Sequence, residues 1–130
     1  IVGTQIRDLP EDIFHNLTNL ETLFLGSNKI KNIPSSLFRD LSKLKILFLD
    51  QNKLQQIDEN IFQDNKNLEM VTFEQNKIEM ISVKFDLLTK LMKLGLLGNK
   101  CINRNLHSNL EIRSESMNIL NKCVYQQPKH

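Results

Sequence analysis

The chain has 130 residues, the length of one domain, with 40% hydrophobic residues, 25% charged residues and a formal net charge of +2. So small a charge gives no footing for nucleic acid or an acidic membrane surface, and apolar runs such as Ile46-Leu47-Phe48-Leu49 are far too short to span a bilayer. The opening residues Ile1-Val2-Gly3-Thr4-Gln5 lack the basic-then-apolar pattern of a signal peptide, so the chain reads as a mature chain or a fragment.

From the first residues onward the chain repeats itself. Ile6, Leu9-Pro10, Ile13-Phe14 and Leu17 stand 24 residues before Ile30, Ile33-Pro34, Leu37-Phe38 and Leu41. This makes 1–19 a partial repeat. Full repeats follow at 20–43, 44–67 and 68–90, a terminal strand at 91–97, and a C-terminal cap at 98–130. Blocks starting at Leu20, Leu44, Leu68 and Leu91 fit L-x-x-L-x-L-x-x-N, with Val71 and Phe73 in the inner Leu places of the third, at intervals of 24, 24 and 23 residues. Ile1 aligns with Leu25, so the chain starts at the end of a strand. That register is expected of a fragment of a longer array, or of a first coil that is frayed or covered by a neighbour.

One such block is common by chance; four in register with Asn at one place are not. The pattern over roughly residues 1–100 resembles extracellular-type leucine-rich repeats. The resemblance implies a right-handed α/β solenoid with a parallel concave sheet and irregular or short helical convex segments. The Leu, Ile, Val and Phe positions then face inward, and the alternating x-L-x-L-x segment is a strand with one buried face. Asn28, Asn52, Asn76 and Asn99 fall where the chain turns inward, and a buried amide there satisfies backbone groups of its own turn and of the adjacent coil. Phe14, Phe38, Phe62 and Phe85 form a column that fills the core toward the convex side.

At the C-terminal end, Cys101 replaces the apolar residue that follows Asn-Lys in the earlier repeats, and Cys123 follows a polar, Asn-rich stretch. Leu106, Leu110, Met117 and Leu120 recur at helix-like spacing and are expected to cover the last coil. Two free buried thiols are one state of the cysteines, and a metal site has only His107 nearby. The extracellular resemblance implies an oxidising compartment and a Cys101–Cys123 disulfide, which contributes on the order of 3 kcal/mol by loop closure. Many extracellular relatives begin a four-cysteine flank with C-x-C. Here Asn99-Lys100-Cys101-Ile102-Asn103 and a single later cysteine look more like the two-cysteine caps of secreted insect leucine-rich-repeat proteins. The sequon Asn16-Leu17-Thr18 lies in a connection between repeats and agrees with secretion, as a glycosylation site or as a plain surface Asn.

The x positions of the strands are free to specialise. In successive repeats the third position carries Thr22, Ile46, Met70 and Lys93. The fifth carries Phe24, Phe48, Thr72 and Gly95, and the seventh carries Gly26, Asp50, Glu74 and Leu97. The candidate concave surface is therefore Phe24, Ile46, Phe48, Asp50, Met70, Thr72, Glu74 and Leu97. Neighbouring solvent-facing Phe residues tend to mark interaction sites, although they also stabilise a sheet by stacking. Lys29, Lys53, Lys77 and Lys100 form a second stripe, which is a solvated edge or a site for a glycan or other polyanion. His15, His107 and His130 are scattered, without a nucleophile motif, a phosphate loop or metal-ligand spacing. The sequence thus points to non-catalytic recognition without a cofactor. A protein ligand is expected in innate immunity or cell adhesion, with self-association, glycan binding or an assembly role in a larger receptor as alternatives. No nucleic acid and no membrane insertion by this segment are expected.

Overall fold

The computed structural model describes residues 3–124. The expectations that fall on Ile1 and His130 lie outside the described residues.

Each repeat opens with a three-residue strand: β1 (Thr22–Phe24), β2 (Ile46–Phe48), β4 (Met70–Thr72) and β6 (Lys93–Gly95). These pair in parallel in the order β1-β2-β4-β6, with Thr22, Ile46, Met70 and Lys93 in register. Three residues past each strand the chain turns through a left-handed residue. Ser27, Gln51, Gln75 and Gly98 have φ of 57°, 56°, 58° and 79°, and Gly3 holds the same place one repeat earlier at 69°. For a side-chain-bearing residue this region is disfavoured. It persists here because the turn lets the N–H groups of Ser27, Gln51 and Gln75 donate to the next coil, each at 2.9 Å, to Asp50 O, Glu74 O and Leu97 O.

The turn also aims the following Asn inward. Asn52 Nδ2 donates to Leu49 O at 3.1 Å in its own coil and to Leu25 O at 3.0 Å in the preceding one, while its Oδ1 accepts from Ile30 N at 3.1 Å. Asn76 repeats this with Phe73 O (3.0 Å), Leu49 O (2.9 Å) and Leu54 N (3.1 Å). Asn99 repeats it with Leu96 O (3.0 Å), Phe73 O (2.9 Å) and Ile78 N (3.2 Å). Asn28 accepts from the backbone N–H groups of Thr4 (3.0 Å) and Ile6 (3.1 Å) and from the Thr4 hydroxyl. A second buried amide interrupts an otherwise apolar column. Asn65 stands 24 residues after Leu41 in sequence, is 1% exposed, and donates to Phe38 O (2.9 Å) and Leu41 O (3.0 Å).

Between these ladders runs one apolar core. Leu25, Leu49, Phe73 and Leu96 are fully buried, as are Leu47, Val71 and Leu94 on the inward side of the strands. Phe14, Phe38 and Phe62 stack at 6.5 and 6.2 Å. The next ring in contact is Phe73 of the sheet side, at 6.1 Å, so the Phe column turns inward before reaching the buried Phe85. The outer segments are mostly turns, with a 3-10 turn at Phe85–Leu87. A second small parallel sheet, β3 (Gln56–Ile57) with β5 (Met80–Ile81), was not foreseen from the repeat.

The cap is built differently from the coils. Strand β7 (Asn105–Leu106) pairs antiparallel to β6, with Leu94 opposite Leu106 and Gly95 opposite Asn105. Helix α1 (Asn109–Lys122) follows, capped by Ser108, whose hydroxyl accepts from Glu111 N at 3.1 Å. Cys101 and Cys123 form a disulfide, and Cys123 O accepts from Ile81 N at 2.8 Å. The helix therefore ends pinned to the last coils. Its buried face is Ile112, Ser116 and Ile119, continued by Cys123 just past its end, whereas Leu110 and Met117 are 77% and 67% exposed. This corrects the expected face. Leu106 belongs to a strand, so a series begun there carries the wrong phase across the strand–helix boundary. Ser116, whose hydroxyl donates to Asp86 at 3.0 Å, hides the true stripe behind a polar residue.

Asn52→Ala leaves Ile30 N and Leu25 O without these bonds in a buried setting. The expected loss of stability is about 1–3 kcal/mol, read as a lower urea midpoint with unchanged slope.

Candidate functional site

The outward positions of β1, β2, β4 and β6 and the residues just beyond them make one continuous face. Phe24 is 45% exposed and Phe48 is half-buried; their rings lie 4.7 Å apart and 11° from parallel. The in-register pairing of Phe24 with Phe48 places them so, and an offset stack of this kind is favourable in itself. Thr22, Ile46, Met70 and Lys93 are all half-buried along one flank, and Leu97 is 40% exposed at the cap end.

Thr72 departs from the expected surface. It is 2% exposed, and the hollow above Gly95 explains why. A Cβ at Gly95 would lie 3.0 Å from Thr72 Cγ2 and 3.3 Å from Glu74 Cγ, so the Thr72 methyl group and the Glu74 arm occupy that space. Thr72 thus contributes little contact area, and its place on the face falls to its neighbours.

The acidic flank is held by the cap. Asp50 Oδ1 accepts from Glu74 N at 2.8 Å. Glu74 Oε1 accepts from Asn105 Nδ2 at 2.6 Å, and Asn105 Oδ1 accepts from Leu96 N at 2.9 Å and Leu97 N at 3.1 Å. Asn105 lies outside the repeat register, and nothing in the sequence pattern singles it out. Burial pushes the Asp50 carboxyl above its ordinary range, and the Glu74 charge adds to this. Among the described residues, the ion pairs involve neither Asp50 nor Glu74.

The lysine stripe is a register of backbone bonds. The N–H groups of Lys29, Lys53, Lys77 and Lys100 donate to Ile6 O, Ile30 O, Leu54 O and Ile78 O at 2.8, 2.8, 2.9 and 3.1 Å. The side chains of Lys53, Lys77 and Lys100 are exposed, and Lys100 pairs with the exposed Glu79 at 2.9 Å. Asn16 and Thr18 are exposed, and Asn16 adopts a left-handed turn conformation with φ of 66°. Beside it, Asp40 accepts from Asn16 N at 3.3 Å and lies 2.6 Å from His15 Nδ1. The Asn16 N–H, then His15, hold the Asp40 carboxyl below its ordinary range. No group of three or more His, Cys, Asp or Glu side chains is arranged to hold a metal among the described residues, and no helix there is long and apolar enough to cross a membrane.

The model of the leucine rich repeat family matches residues 1–54 and 42–100. The chain belongs to the leucine-rich-repeat family. Its parallel sheet and disulfide-closed end are those of a solenoid with a two-cysteine cap, and its structural neighbours are insect proteins of the family. The leucine-rich-repeat domain of APL1B superposes with a TM-score of 0.71 at 28% identity, covering 75% of this chain and 29% of that one. The LRIM1/APL1C complex gives 0.71 at 26% identity, covering 75% and 18%. Toll in the Toll–Spatzle complex, a molecular hub in Drosophila development and innate immunity, gives 0.67 at 29% identity, covering 70% and 12%. The chain therefore matches less than a third of the length of each of these proteins. No curated protein matches its sequence.

The two perturbed carboxyls predict opposite pH behaviour. Asp50 binds its proton more tightly in the folded chain, so its contribution to stability is present below the unfolded value of about 3.9 and is lost as pH rises through the raised folded value. Asp50→Asn, which keeps an acceptor for Glu74 N, should raise the thermal midpoint at pH 7 and leave it unchanged at pH 3. Asp40 stabilises above about pH 3.9 and loses this as pH falls through its lowered folded value. Asp40→Asn should lower the midpoint at pH 7, and the difference should close on acidification. Thermal melts across this range check both signs.

Proposed function

We propose that the chain is a non-catalytic recognition segment of an extracellular leucine-rich-repeat protein, and that it binds a protein partner through the outward face of its sheet. The observation that carries this is the stacked Phe24–Phe48 pair at the β1–β2 end of the face, where Phe24 is 45% exposed and Phe48 half-buried. Exposed aromatic surface of this kind is costly in water and is the usual material of binding hot spots. Proteins of this family are generally binding modules rather than enzymes. Two of the structural neighbours are complexes, LRIM1 with APL1C and Toll with Spatzle, which supports a protein ligand for this face and a setting in innate immunity. Adhesion is the second setting consistent with an extracellular solenoid. The division into coils at 1–97 and a cap at 98–130 belongs to the same proposal, with the cap as closure of the array rather than as a second binding unit.

The lysine stripe supports polyanion or glycan binding less well. Lys29 is half-buried, and Lys100 is already paired with Glu79. Asn16 we assign as a glycan acceptor, because both it and Thr18 are exposed on a turn away from the Phe row. Expression through a secretory pathway should give a chain whose mass falls on treatment with an N-glycanase, and Asn16→Gln should abolish the shift. An unshifted wild-type chain would remove the assignment.

Phe24→Lys with Phe48→Lys tests the main proposal. The double variant should keep its far-ultraviolet spectrum and melt cooperatively. It should retain at least tenfold less of any extracellular-fluid protein that the immobilised wild-type chain captures, at both low and high salt. Undiminished capture by a folded double variant would refute the sheet face as the binding surface, and so would capture dependent on the lysine stripe and lost in salt. Concentration-dependent sedimentation of the wild-type chain, abolished in the variant, would identify a second copy as the occupant.

A further inference from the structure

The sheet face carries two unlike chemistries side by side, and together they define what it fits. Successive residues rise about 3.3 Å along a strand and neighbouring strands lie about 4.8 Å apart. Asp50, two residues beyond Phe48 on the same face, is therefore roughly 7 Å from it along the chain. Glu74 stands in the equivalent place one coil further on. The two acids are fixed by their own bonds, Asp50 Oδ1 to Glu74 N and Glu74 Oε1 to Asn105 Nδ2. Beneath them the Thr72 hydroxyl also acts on Asp50, and among the described residues no ion pair reaches either carboxylate. Lys93 is the cation of the same face that acts on Asp50, yet it makes no ion pair with it. Half-buried beside Glu74 and held in place, the Asp50 carboxylate is costly to the free chain, and a cation brought from outside relieves it.

We infer that the sheet face takes an arginine-bearing segment of a partner protein, with the guanidinium laid against the Phe48 ring and its fork turned to the carboxylates of Asp50 and Glu74. This rests on the reading of the face as a binding surface and names the partner chemistry. Three features select this occupant. A planar cation is attracted to the face of an aromatic ring within about 6 Å, and the Phe24–Phe48 stack presents such a face. Guanidinium meets a carboxylate in two parallel hydrogen bonds while it stacks, which ammonium cannot do. The half-buried Ile46 and Met70 flank the rings and give the residues beside the arginine an apolar footing, so an extended peptide fits better than a lone small cation. The cap has a part in this arrangement, since Asn105 holds Glu74 against the hollow at Gly95.

The test is selection of random twelve-residue peptides displayed on phage against the immobilised chain, followed by titration of the enriched peptides as synthetic ligands. Enrichment of arginine next to aliphatic or aromatic residues is expected. Asp50→Asn with Glu74→Gln should weaken such a peptide at least tenfold. Both replacements keep the acceptor atoms that the fold uses, and a melt confirms the variant is folded. Replacing the peptide arginine by citrulline should cost as much on the wild-type chain and little on the variant, and lysine should recover only part of the affinity. Enriched peptides that lack a cation, but whose binding Phe24→Lys with Phe48→Lys abolishes, would overturn this inference and leave the sheet face standing. Peptides indifferent to both double variants, or no enrichment over a blank surface, would overturn both.

Discussion

The structure depends on one recurring interaction, the buried asparagine amide that joins each coil to the one before it. A chain that turns inward every 24 residues carries backbone N–H and C=O groups into the core at each turn, and an unpaired buried amide or carbonyl costs about 1–3 kcal/mol. No apolar residue removes that cost, and a flexible polar one would not fix the register. Asparagine does both. Its Nδ2 takes a carbonyl in its own coil and one in the preceding coil, and its Oδ1 takes an N–H two residues past the preceding Asn. Coils so joined vary most freely in their outward residues. That is why the strands pair Thr22, Ile46, Met70 and Lys93 in register, and why the exposed columns exist as columns at all.

The end of the array follows from the same need. The last coil would present an open strand edge and an uncovered core. Strand β7 pairs with the edge of β6 in the antiparallel sense, and α1 with the Cys123 that follows it covers the core through Ile112, Ile119 and Cys123. The disulfide and the bond from Ile81 N to Cys123 O fasten the far end of the helix. Asn105 gives this closure a second consequence, because its side chain reaches onto the sheet face and holds Glu74. The cap therefore shapes the acidic flank of the candidate site as well as ending the fold.

Much of this was legible in the sequence, for a physical reason. Period, core and Asn ladder depend on residue type at a fixed interval, and repetition makes such a signal visible in one chain; the pairing of Cys101 with Cys123 came instead from the family resemblance. What the interval did not cover was hidden. Asn65 looks like an ordinary polar residue until its column, Leu41 before it and Leu88 after it, is seen to be buried. Asn105 and the antiparallel β7 occur once and have no register to reveal them. The phase of α1 was lost because Leu106 belongs to a strand, and because the buried face includes Ser116. Thr72 stands in register with Phe48, but its burial depends on the hollow at Gly95 one coil away, a contact that no single column records.

If the asparagine ladder holds the coils in one register, the backbone amides that donate to it must open only when the whole array opens. Ile30 N, Leu54 N and Ile78 N are the donors to Asn52, Asn76 and Asn99. Hydrogen exchange followed residue by residue should find these three in the slowest class, with opening free energies that converge on the global unfolding value and fall with urea at the global slope. Exchange of these three at separate rates, insensitive to urea and as fast as in the outer turns, would contradict the ladder as the interaction on which the structure rests.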